Sequence, residues 1–205
     1  MSTTSATATR LLAAEPRTDG LRRDELRGVS AGVRVGAVMG LAWAASALGP
    51  LSPAVAVPVA VAGVAIFAVL MVGARRLRRV SVAMPQSAPA DVDLGRVRRH
   101  FTLVVAAECA VIAAAATILA VSDHTQWTPA VICATVGLHF VPLARLFRVP
   151  LYYATAVALC LVAVTTMILG AASAPAAIWQ LLPGLGAALV LWATSAGLLV
   201  TTPAQ

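Results

Sequence analysis

Six stretches of about twenty continuously apolar residues dominate this chain, at 31–51, 54–74, 101–121, 128–147, 151–172 and 178–200. An α-helix rises 1.5 Å per residue, so about 20 residues cross roughly 30 Å of hydrocarbon. Inside hydrocarbon every backbone N–H and C=O must find a partner within the protein, and a helix satisfies its own. Membrane barrel strands instead alternate apolar and polar residues over about 10 positions, and these stretches do not alternate. The sequence therefore predicts an all-α fold, a polytopic transmembrane bundle of six helices arranged as three antiparallel hairpins. Composition agrees. The chain is 60% hydrophobic and 11% charged, against about 45–50% and about 25% for soluble domains. That surplus is too large for one buried core and makes the lipid bilayer the first expected partner.

A net charge of +7 is of the sign that nucleic acid attracts, but its placement argues against that partner. All fifteen basic residues are Arg. Six lie at or before Arg34, seven are Arg75, Arg76, Arg78, Arg79, Arg96, Arg98 and Arg99, and two are Arg145 and Arg148. The connections at 50–53, 122–127 and 172–177 hold none. Six crossings put every Arg on one side, which the positive-inside rule makes cytoplasmic. No nucleic-acid partner is expected. Arg without Lys, together with abundant Ala, suggests a GC-rich bacterial source. The expected location is thus a bacterial cytoplasmic (inner) membrane, multi-pass, with both termini in the cytoplasm.

Residues 1–30 show no continuous apolar core of a secretory signal. They read as a polar arm, disordered or lying at the membrane interface, with a weak amphipathic stretch at 21–29. Residues 75–100 read as a flexible cytoplasmic Arg-rich loop, because they contain Ser81, Pro85, Ser87, Pro89, Asp91 and Asp93. That loop would divide the chain into a two-helix and a four-helix unit. Trp127 and Trp179 are expected at the outer boundary and Tyr152 and Tyr153 at the inner one. Gly32, Gly36, Gly40 and Ala44 recur every four residues, a small-residue face for close helix packing. That face serves either packing within the chain or a homo-oligomer or other membrane-protein partner.

Chemistry has few places to reside. Cys109, Cys133 and Cys160 all lie in apolar segments without CxxC spacing, which suits small buried residues rather than a metal site. Asp123 and His124 are adjacent in an outer turn with no third ligand beside them. No metal and no cofactor is expected, and no catalytic motif points to an enzyme.

Glu108 and His139 stand apart. An ionisable residue in mid-span costs about 2.5–3.5 kcal/mol on insertion scales and needs a reason to be there. Glu108 lies roughly 13 Å from Arg99 and His139 roughly 9 Å from Arg145 at 1.5 Å per residue. Both distances run from the Arg side, on consecutive antiparallel helices, so the two can meet. Burial disfavours the charged form of each, while each favours the charged form of the other. The pair can therefore share one proton. Pro142 lacks the N–H that would bond the Leu138 carbonyl, and Thr135 lies one turn away. Glu108, His139, Thr135 and that carbonyl are candidates for a small polar pocket.

The run Gly137-Leu138-His139-Phe140-Val141-Pro142-Leu143-Ala144 resembles a segment shared by a group of small, uncharacterised bacterial multi-pass membrane proteins. The likeness extends through Arg145 and Arg148 to Tyr153 and covers about a tenth of the chain. It implies a membrane protein and no particular activity. Two functions remain open at this point. One is a small transporter or permease with a proton-linked Glu108–His139 pair. The other is a non-transporting membrane subunit in which the pair is structural.

Overall fold

The computed structural model describes residues 15–83, 94–172 and 175–202. Among these, six long helices account for nearly everything: α1 (Glu15–Ser46), α2 (Pro53–Ala83), α3 (Leu94–Val121), α4 (Thr128–Phe147), α5 (Leu151–Ala171) and α6 (Ile178–Thr201). A single 3-10 turn at Thr125–Trp127 precedes α4. All six helices contain a stretch long and apolar enough to cross a membrane. The fold is an all-α polytopic bundle.

The turns follow from local chemistry. Pro53 opens α2, where its missing N–H would have had no helical partner. The Ser52 carbonyl accepts from the amides of Val55 and Ala56 at 2.9 and 2.8 Å. After α3, Asp123 adopts a left-handed φ of 57°, a conformation that short polar side chains tolerate. After α4, Arg148 does the same at φ 55°, and the Val149 amide returns to the Ala144 carbonyl at 3.1 Å. Pro150 then cannot continue α4, and α5 starts at once.

Two expected boundaries differ. The arm expected up to residue 30 is helical from Glu15, and residues 1–14 lie outside the described set. The loop expected at 75–100 is helical to Ala83 and again from Leu94. Residues 84–93, with Pro85 and Pro89, and the side chains of Arg96 and Arg98 lie outside the described set. Apolarity marks where lipid ends, whereas a helix stops only where a breaker or a lost hydrogen bond stops it. The 31 residues of α2 span about 46 Å, so roughly ten of them extend past about 30 Å of hydrocarbon.

The helices pack in the order α3, α4, α5, α6, α1, α2, and the most extensive contact is between α1 and α6. The first two helices are therefore not a separate unit. They are joined to the rest through α6. One buried cluster, including Val33, Ala37, Leu70, Ala74, Ala188 and Trp192, fills the space between α1, α2 and α6. A second, with Cys133, Leu159, Ala163, Ala187 and Leu191, lies between α4, α5 and α6. α3 is peripheral: its substantial packing is against α4 and the short turn, and no residue of its most apolar stretch is buried.

The small-residue face of α1 is what permits the α1–α6 approach. A side chain at Gly36 would meet the Ser195 Oγ, and one at Gly40 would meet the Trp192 indole. One at Gly32 would lie 2.9 Å from the Tyr152 Oη of α5. Ala44, next in that series, is buried. These close contacts are made within one chain.

Candidate functional site

Glu108 and His139 meet. The Nδ1 of His139 lies 3.1 Å from Oε2 of Glu108, and their side chains are only 10% and 16% exposed. α3 supplies the carboxyl and α4 the imidazole. The contact lies in the half of the bundle that carries the Arg residues. The nitrogen is close enough for an ion pair, yet it forms no well-directed hydrogen bond among the described residues. His139 also presents its ring edge-on to Phe140, at 6.1 Å between centroids. Phe140 in turn packs edge-on to Tyr152 of α5 at 5.4 Å. Nearer the Arg-bearing end, Phe101 of α3 meets Phe147 of α4 at 6.1 Å.

The rest of the expected pocket is arranged differently. The Thr135 hydroxyl donates to the Val131 carbonyl of its own helix at 2.9 Å, which satisfies it locally. α4 continues through Pro142 without ending. Leu138 is 64% exposed on the outside of the bundle, and the polar contact between helices at this level is the Glu108–His139 pair. Arg75, Arg76, Arg78, Arg79, Arg99, Arg145 and Arg148 all lie exposed at one end of the bundle.

Of the three cysteines expected to be small buried residues, Cys133 is fully buried, Cys160 is half-buried and Cys109 is exposed on α3. Cys133 directs its Sγ at the Leu159 carbonyl, 3.4 Å away. Asp123 forms part of the turn after α3, where the His124 Nδ1 contacts the Ser122 carbonyl.

Several polar ties escape sequence reasoning. Thr155 of α5 and Thr194 of α6 share a buried hydroxyl–hydroxyl bond of 2.7 Å. The Ser30 hydroxyl of α1 donates to the Ala74 carbonyl of α2 at 3.0 Å. The Trp192 indole N–H donates to the Ala37 carbonyl at 3.3 Å. At the opposite end, the Gln180 amide donates to the Ser46 carbonyl at 2.6 Å, and Trp127 and Trp179 pack with centroids 4.8 Å apart.

No protein family, curated protein or solved structure matches this chain.

Proposed function

We propose that this protein is a small transporter of the bacterial inner membrane, with Glu108 and His139 as a proton-binding pair coupled to solute movement. The carrying observation is the 3.1 Å contact of two ionisable side chains within apolar spans. Such groups are costly in a membrane and commonly mark ion or proton paths. Placing the Arg-bearing end in the cytoplasm follows from the positive-inside rule. The resemblance of residues 137–144 to other bacterial multi-pass proteins is in keeping with this setting and adds no substrate.

A second reading has its own support. α3 packs substantially only on α4, so the pair would serve as a clasp in a non-transporting subunit that binds another membrane protein. One experiment addresses both. The protein is reconstituted into liposomes with a trapped pH dye, and a potential is imposed. The transporter reading expects proton flux in the wild type and loss of it in folded Glu108→Gln and His139→Ala. Unchanged flux in both variants sinks that reading. Loss of monodisperse protein in His139→Ala but not in Glu108→Gln favours the clasp.

A further inference from the structure

Four Arg residues beside the α1–α2 crossing, Arg27, Arg34, Arg75 and Arg78, share one side of that hairpin. α1 turns Leu26, Ser30, Val33 and Ala37 inward, and α2 turns Leu70, Ala74, Leu77 and Ser81 inward. The Ser30–Ala74 hydrogen bond sets the two helices at a common level. At about 100° per residue, Arg27 and Arg34 lie on one flank of the inward line of α1. Arg78 lies on the matching flank of α2, and Arg75 lies further round in the same sense. In two antiparallel right-handed helices, flanks of the same rotational sense fall on the same side of the pair.

The other side is taken. Gly36 and Gly40 of α1 abut Ser195 and Trp192, and Gly73 of α2 abuts Leu199, all on α6. The Arg side therefore faces away from the bundle. Measured from the Ser30–Ala74 level at 1.5 Å per residue, Arg75 is almost level. Arg27 and Arg78 lie about 4.5 and 6 Å toward the Arg-bearing end, and Arg34 lies about 6 Å deeper. From residue 26 to residue 83 the sequence has no Asp or Glu. Arg34, half-buried in the apolar span, bonds the Ser30 carbonyl through Nε at 3.2 Å. That bond uses one of five guanidinium donors. Deeper on the same flank, Val38 is 45% and Val64 55% exposed.

We propose that this side of the α1–α2 hairpin binds the phosphate headgroup of an anionic lipid, held by Arg34, Arg75 and Arg78. A guanidinium fork matches a phosphate in shape and charge. The exposed valines beneath suit acyl chains, which favours a lipid over a soluble phosphate. The test uses the full-length protein in phosphatidylcholine nanodiscs with a minor fraction of spin-labelled phosphatidylglycerol. The motionally restricted lipid fraction is compared with that of labelled phosphatidylcholine. The wild type is expected to prefer phosphatidylglycerol. Arg34→Gln and Arg78→Gln should each reduce that preference about fivefold, the factor for one cation at an anionic surface. Arg79→Gln, on the far face of α2, should leave it unchanged, as should millimolar inorganic phosphate. Should Arg34→Gln fail to fold, Arg78→Gln on the exposed flank carries the same expectation. The site is overturned by no preference in the wild type, by an equal loss in Arg79→Gln, or by displacement of the lipid by inorganic phosphate.

Discussion

Replacing Gly36 with Ala tests the packing on which the bundle depends. The new Cβ would fall on the Ser195 Oγ, with the Leu191 carbonyl oxygen 3.4 Å away. Ser195 cannot easily yield, because its hydroxyl is bonded to that same carbonyl at 2.8 Å and the residue is 1% exposed. Overpacking of this kind costs about 1–3 kcal/mol. Gly-to-Ala also returns up to about 1 kcal/mol of helix propensity, so the bare change understates the clash. Gly28 provides the reference, since a Cβ there meets nothing within 4 Å. Gly28→Ala should be neutral or stabilising by up to about 1 kcal/mol. The difference between the two variants then isolates a steric cost of about 1–3 kcal/mol. Ser195→Ala should relieve it, because the Ser195 Cβ is 3.7 Å from the new methyl, an ordinary contact. The assay is equilibrium unfolding in detergent of the wild type, the Gly28→Ala and Gly36→Ala variants, and Gly36→Ala with Ser195→Ala. The reasoning is refuted if Gly36→Ala is as well tolerated as Gly28→Ala, or if Ser195→Ala brings no recovery.

Other expectations follow from the same contacts. A double-mutant cycle on Thr155→Val and Thr194→Val should give a coupling of about 0.6 kcal/mol and at most about 1.7, the range for hydrogen bonds between helices in membranes. Zero coupling would mean that the 2.7 Å bond does not tie α5 to α6. An apolar maleimide should label Cys109 in the folded protein and leave Cys133 unlabelled until unfolding, since one is exposed and the other fully buried. Protection of Cys109 in mass-spectrometric mapping would contradict the peripheral position of α3.

The six spans were readable because lipid imposes a length and an apolarity that few other pressures produce. The ends in water were not. Arg76, Leu77 and Arg78 are ordinary helix formers, and nothing before Pro85 stops α2. Glu108 and His139 were readable because an ionisable group in a span is costly and demands a partner. Thr155 and Thr194 carry no such signal: each hydroxyl also lies within bonding distance of a carbonyl one turn back, at 3.1 and 2.8 Å, so either could be satisfied alone, and with one proton each they keep only one of those bonds while bonded to each other. Thr135 likewise donates within its own helix. The repeat of Gly32, Gly36 and Gly40 announced a close approach but not its partner. The large or hydrogen-bonding groups it receives, Tyr152, Trp192 and Ser195, lie more than a hundred residues away.

The two functional readings involve the same contact, and the choice of substitution decides whether they can be separated. α1, α2, α5 and α6 are joined by small residues and by hydroxyl and indole bonds spread over several levels. Phe101–Phe147 and Glu108–His139 are among the contacts that join α3 to α4. Any proton gained or lost at the pair alters a polar tie between these helices, so a transporter built here would couple protonation to the position of α3. A clasp needs only a polar contact, not a titratable one. Gln at position 108 keeps the size and hydrogen-bonding ability of Glu and cannot ionise. His139→Ala removes the contact altogether. A clasp should therefore survive Glu108→Gln and fail in His139→Ala, with folded protein lost only in the second. A proton path should fail in both while the protein stays folded in the first. Glu108→Gln is accordingly the substitution on which the two readings diverge, and the flux it leaves in a folded protein is the quantity that separates them.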